Sequence, residues 1–374
     1  MIKNKKFLFV IRDKLSNIEY LYNKKNLKFG TVEYKKANRK LRNFQFAWTD
    51  VIENKYIIEN FSYLFDWLKH FLPYKIWLKI AKLNYFPIIR NVDSVIFNID
   101  ILSKMLIKEF NVLEYYDNRI FKITEIILTK FFNKVIIEYD GRPLSVSERN
   151  LQKDIHCDNK YLVSNMQWKD KIGFRKKNFY QIFLGVDENF ARFEEKKRDI
   201  DILIVGSFND KVFPTRCEYV DFLLKHCKDI NIEIYGTYEK NKKYAFLNKI
   251  KFQRLLGEDL QNKMERTKMT LIIPSDEHLN IADGMPMRLY ENAAKKVFQL
   301  IYKTNAIKNT VFIENEDFVF FDSKENMVSK IEYYLKHEQK RKKIVELAYR
   351  KFLENYTAQK SFLKLLKNIG IKND

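Results

Sequence analysis

The sequence predicts an α/β fold made of two doubly wound halves. Short apolar runs of strand length alternate with amphipathic stretches along the chain, the pattern of a parallel sheet with helices on its faces. The alternation becomes much cleaner from Asp199 onward. With 374 residues, 46% of them apolar, the chain exceeds one typical core and can bury two.

Taken in order, Lys6–Ile11 reads as a buried strand that ends in a polar loop holding Asp13. Residues 56–89 are aromatic and amphipathic. Phe61, Leu64, Phe65, Leu68, Phe71 and Leu72 recur at helical spacing, Pro73 breaks the run, and Trp77, Leu78 and Ala81 resume it. Val92–Phe97 and Lys134–Tyr139 are of strand length, with a helical pattern over 117–132 between them. Strands are then expected at Ile200–Val205, Ile232–Tyr235, Met269–Ile273, Val297–Ile301 and Phe318–Phe321. Helices are expected over 215–227, Glu258–Lys268, Pro286–Lys296 and Lys324–His337, and the last 35 residues read as wholly helical. The charged, aperiodic stretch from Leu184 to Lys197 marks the boundary. The expected division is a domain over 1–183, a linker over 184–198, a second domain over 199–355 and a closing helix over 356–374.

Composition removes several classes. With nine glycines there is no glycine-rich phosphate loop, no G-x-G-x-x-G and no Walker pattern. The three cysteines, Cys157, Cys217 and Cys227, have no metal or redox spacing, and the five histidines are scattered, so no metal site is expected. The apolar run after the basic start is too short for a signal peptide, and no run of 18 apolar residues exists; a cytoplasmic protein is expected. The net charge is +21, with 19 Lys/Arg against 7 Asp/Glu in residues 1–90. A field of that sign draws anionic partners: nucleic acid, an acidic glycan or an anionic membrane surface.

The most telling stretch is Asp283-Gly-Met-Pro-Met-Arg-Leu-Tyr-Glu291, directly after the apolar strand. Gly284 and Pro286 let the backbone turn close to a ligand. The helix behind them points its N-terminus at that ligand and favours an anion. Arg288 can neutralise a diphosphate, and Glu291 can accept hydrogen bonds from a ribose diol. The ordinary alternative is a surface ion pair between residues one turn apart. Asp283 is equally at home in a plain Asp-Gly turn. Gly206 and Ser207 offer backbone N–H groups to a phosphate, with Arg216 across the pocket, or else simply end a strand. Asp140, after an apolar strand, is placed to act as a general base, with Asp13 its rival and Glu19 more distant; the alternative is an Asp-Gly turn. The stripe with Trp67 and Trp77 suits a core, an acceptor groove or a membrane surface. His278 is either a donor contact or part of a polar loop.

The ordered set Leu184-Gly-Val-Asp187, Val205-Gly-Ser-Phe208, Arg216, Ile234-Tyr-Gly236, Asp283 and Arg288-Leu-Tyr-Glu291 resembles the donor domain of GT-B glycosyltransferases. Asp283 and Glu291 keep the spacing of that family's E-x7-E motif, with Asp in first place. The CgeB-type (group 1) branch and the phage DNA β-glucosyltransferases look most similar. In the latter, Tyr139-Asp-Gly-Arg-Pro-Leu144 falls where the catalytic Asp is carried. The resemblance spans roughly residues 180–366 and is weak over the first 130.

The resemblance implies two Rossmann-like domains facing a cleft, with a C-terminal helix crossing back to the first. Residues 1–183 would bind the acceptor and 199–355 the donor, a nucleoside-diphosphate sugar, with UDP-sugar the leading candidate. Gly206, Ser207, Arg216, Asp283, Arg288 and Glu291 would hold the donor, and Asp140 or Asp13 would be catalytic in an inverting hexosyl transfer. No cofactor or metal is implied. The acceptor would be a glycan or lipid-linked glycan, reached with peripheral membrane contact, or a modified base of DNA. A non-catalytic nucleic-acid or membrane binder on the same fold is the remaining alternative.

Overall fold

A computed structural model describes residues 185–238, 244, 255–276, 279, 286–305, 307 and 310–371; before residue 185 it describes six strands, with residues 26, 32–33 and 36–37. The chain divides into two compact units, residues 1–184 with 361–374, and residues 185–360.

The first unit carries a sheet of β1 (Phe7–Ile11), β2 (Lys55–Glu59), β3 (Ser94–Asn98), β4 (Lys134–Tyr139), β5 (Lys160–Ser164) and β6 (Phe179–Gln181). The spatial order is β2-β1-β3-β4-β5-β6, and every pairing is parallel. The order reverses between β1 and β3, which makes the sheet doubly wound. β2 occupies the start of the stretch read as helical at 56–89. β5 and β6 had no counterpart among the expected strands.

The second unit carries β7 (Ile200–Phe208), β8 (Ile232–Tyr238), β9 (Thr267–Ile272), β10 (Phe298–Tyr302) and β11 (Val319–Phe321), in the order β11-β10-β9-β7-β8. All four pairings are parallel. The strands are nearly continuous apolar runs because both faces are covered by helices. Ile202, Ile204, Met269, Leu271, Phe298 and Leu300 lie in one buried cluster. The helices are α1 (Glu188–Ala191), α2 (Pro214–His226), α3 (Gly257–Glu265), α4 (Arg288–Ala294), α5 (Lys324–Lys336), α6 (Glu338–Asn355) and α7 (Ala358–Asn368). Pro214 suits the first turn of α2, where its missing N–H costs nothing. Ser323 caps α5 through the Asn326 N–H at 3.1 Å. α2 packs beside α5, and α4 beside α6.

Two fastenings frame this unit. The segment 192–199 is strapped to the unit through the buried Lys295 and Glu265 and the half-buried Lys196 and Arg198. Lys295 Nζ donates to the Arg192 carbonyl at 2.7 Å and to Glu265 Oε1 at 2.9 Å, while Lys196 reaches Glu265 Oε2 at 2.7 Å. Arg198 donates to the carbonyls of Thr267 and, at 2.8 Å, Lys296. The second fastening joins the two chain crossings. Val186 N–H donates to the Tyr356 carbonyl at 3.1 Å, and Ala358 N–H to the Val186 carbonyl at 2.8 Å. Gly185 has φ +87°, and a Cβ there would lie 2.3 Å from the Ala358 Cα, so the approach requires glycine.

Among the described residues, no helix is long and apolar enough to cross a membrane.

Candidate functional site

In the second unit the strand order reverses between β7 and β9. Ligands of doubly wound sheets bind outside the carboxyl ends of the strands at such a point. Gly206 and Ser207 sit at that end of β7, and Ile273–Asp276 leave the same end of β9.

Arg216, in the first turn of α2, bridges the two strands. Its Nε and Nη2 donate to the Ile273 carbonyl at 3.0 and 2.5 Å, and Nη1 donates to the Ser207 carbonyl at 3.0 Å. The Phe213 ring covers the guanidinium with its centroid 4.3 Å from Cζ. Burial pushes the Arg216 pKa down to about 10; Cys217 and Asp276 oppose that, and the nearby positive charge of Arg288 adds to it. The group stays charged at neutral pH, and a guanidinium has donors beyond those used here. Arg216 is thus a clamp on the strand ends as well as a cation facing the reversal point.

Facing glycines shape the floor. Gly206 pairs in register with Gly236. A Cβ on Gly236, whose φ is +153°, would lie 1.6 Å from the Gly206 carbonyl oxygen. Just beyond, Thr237 Oγ1 donates to Ser207 Oγ at 3.0 Å, leaving an exposed hydroxyl pair on the rim. The N-terminus of α2 is already occupied. Thr215 donates both its N–H, at 3.3 Å, and its hydroxyl to the Asp276 carboxylate.

Arg288 and Glu291 lie on α4, the helix that follows β9. They form an i,i+3 ion pair with 3.3 Å between Nη1 and Oε2, both side chains about three-quarters buried or more. That contact lacks hydrogen-bond geometry, and Arg288 Nη1 is a buried donor without a hydrogen-bond partner. Such an atom carries a desolvation cost that an anionic ligand would relieve. The expected helix Pro286–Lys296 is shorter, seven residues with no side-chain cap.

The described backbone therefore brings Gly206, Ser207, Arg216, Arg288 and Glu291 to the same end of one sheet. Asp13, Asp140 and Asp283 lie outside the described residues, as do Glu19, Trp67, Trp77 and His278. Two features escaped sequence reading. The Asp276–Thr215 cap joins residues 61 apart, and the Gly236 contact depends on strand register. Among the described residues, no group of three or more His, Cys, Asp or Glu could hold a metal ion.

Residues 216–367 match the family described as "Glycosyl transferase-like". No curated protein matches the chain by sequence. Among solved structures, HepE of Anabaena in complex with UDP and glucose is similar, with TM-score 0.60 and 9% identity over 98% of this chain and 99% of that one. A glycosyltransferase from Rickettsia africae gives TM-score 0.58 and 15% identity over 99% and 100%. The phage T4 β-glucosyltransferase gives 0.54 and 12% over 98% and 99%. At these identities the likeness establishes the fold, GT-B with two Rossmann-like domains.

Proposed function

We propose that this chain is a glycosyltransferase that takes a sugar from a nucleoside diphosphate, UDP-sugar first among the candidates, and passes it to an acceptor hydroxyl. The carrying observation is that Arg288 Nη1, ion-paired with Glu291, is buried without a hydrogen bond, and that its charge reaches Arg216 at the strand-order reversal. Two guanidinium groups at the same end of the sheet, one with an unsatisfied donor, suit a diphosphate. The glycosyl transferase-like match over 216–367 and the UDP held by a protein of the same fold support the same reading.

In this reading residues 199–355 bind the donor and residues 1–183 the acceptor. Arg288 and Arg216 stabilise the charge that grows on the departing diphosphate. Glu291 accepts hydrogen bonds from the ribose, while Asp283, Gly206 and Ser207 line the donor. Transfer is inverting: the acceptor oxygen forms a bond to the anomeric carbon as the bond to the diphosphate breaks. The diphosphate leaves with the electron pair, and the acceptor proton passes to Asp140, or to Asp13 if that residue is the base. The acceptor is a hydroxyl of a glycan or lipid-linked glycan, with peripheral membrane contact through basic and aromatic residues. A modified base of DNA is the second reading, favoured by the excess of Lys/Arg in residues 1–90.

Isothermal titration with UDP, and turnover of UDP-sugars, test this. Tight UDP binding that falls at least tenfold in both Arg288→Ala and Glu291→Ala, with melting temperatures held, is expected. Undiminished affinity in both variants sinks the donor site. Weakening of DNA affinity by orders of magnitude between low and physiological salt, together with turnover on DNA, would move the acceptor to the second reading.

A further inference from the structure

We propose that Gln299 is a positioning residue for the donor: it never faces the ligand but sets the rotation of the helix that does. This rests on reading Arg288 and Glu291 as donor ligands. Gln299 is the one strongly polar side chain inside β10, Phe298-Gln-Leu-Ile-Tyr302, and is 1% exposed. An apolar side chain would fill this place without needing partners. The amide instead spends both ends on α4. Its Nε2 donates to the Leu289 carbonyl at 3.0 Å, and its Oε1 accepts from Asn292 Nδ2 at 3.3 Å. Leu289 and Asn292 flank Glu291 and lie on the same turn as Arg288.

α4 needs an external fixture. It has seven residues and no side-chain cap, too short to hold an orientation by itself. Packing holds it as well: Leu289 and Ala294 are fully buried, and the Tyr290 ring lies edge-on to Tyr356 at 4.8 Å and tilted against Phe312 at 5.9 Å. Ring contacts of that kind tolerate small rotations, whereas a bidentate amide does not. A turn of about 20° about the helix axis would move a group ~6 Å from that axis by ~2 Å, enough to take the guanidinium off a phosphate.

The test uses UDP as probe in four proteins: unaltered, Gln299→Met, Gln299→Met with Asn292→Leu, and Gln299→Met with Arg288→Ala. The Met/Leu pair leaves no buried amide without its partner, so its melting temperature should stay within a few degrees of the unaltered protein. Its UDP Kd should nevertheless rise about tenfold. Because Gln299 acts through Arg288 and Glu291 together, Gln299→Met should raise the Kd by a clearly smaller factor in the Arg288→Ala background than in the unaltered protein. A folded Met/Leu pair, or failing that a folded Gln299→Met, that binds UDP within twofold of the unaltered protein overturns the proposal. Full additivity with Arg288→Ala overturns it too. If the unaltered protein binds no UDP, the donor-site reading itself falls and this proposal falls with it.

Discussion

Arg216 can lie across the end of β7 because residue 206 has no side chain: a Cβ there would stand 3.0 Å from Nη1. The guanidinium is pinned on both sides by the Ser207 and Ile273 carbonyls, so it has little freedom to give way. Gly206→Ala should therefore loosen the clamp between β7 and β9. The expected result is a loss of about 1 kcal/mol in stability by urea unfolding, with UDP affinity reduced several-fold. Unchanged stability and affinity would show that the guanidinium relocates freely.

Gly236 has less latitude. A Cβ on it would clash with the Gly206 carbonyl oxygen, 1.6 Å away, and its φ of +153° is already unfavourable for any other residue. The obstacle is backbone, not a side-chain tip. Gly236→Ala should cost roughly 3 kcal/mol or more, seen as a large drop in the urea midpoint. A variant as stable as the parent would mean that β7 and β8 part at this end without penalty.

Asp276 supplies the cap that α2 lacks from its own Phe213. Asp276→Ala should lower stability by about 1 kcal/mol. Asp276→Asn should retain most of the loss-free behaviour, since the amide oxygen can still accept the Thr215 N–H. Equal destabilisation by Ala and Asn would point to charge rather than capping.

Acid should release the strap on residues 192–199. Burial alone would raise the Glu265 pKa, but hydrogen bonds from Lys196 and Lys295 outweigh it and hold the carboxyl below its ordinary 4.5. A depressed carboxyl stabilises the fold above its unfolded value, and that stability is lost as pH falls below 4.5 through the folded value. Protonation also leaves the buried Lys295 ammonium without its counter-ion. Thermal melts of the parent and Glu265→Gln at several pH values should converge as pH drops below this range. Parallel curves would exclude Glu265 as a source of the acid limb.

Legibility in the sequence followed local pattern. Lys134–Tyr139 is an apolar run bounded by polar residues, and β4 has those limits. Lys55–Glu59 is equally strand-like but runs directly into an aromatic stretch of helical spacing, so the period of its neighbours hid β2. Thr267 and Lys268 belong to β9, not to the preceding helix: Thr267 pairs in register with Ile200 of β7, and Lys268 reaches Asp201 there at 2.7 Å. That Arg288 and Glu291 share one helix face was readable from their spacing. Gln299 and Lys295 were not: one sits in an apolar run, the other in a basic pair, and each is explained only by a partner distant in sequence.

The pairing of Val186 with residues 356–358 also governs when the second unit can close. On a ribosome, the strands of the second sheet emerge long before the segment that satisfies the Val186 backbone groups. Until translation has passed Ala358, the Val186 backbone groups must be satisfied by water or by a chaperone. A nonsense codon shortly before Tyr356 would then yield a product with all eleven described strands and no partner for the Val186 backbone groups, a substrate for proteolysis.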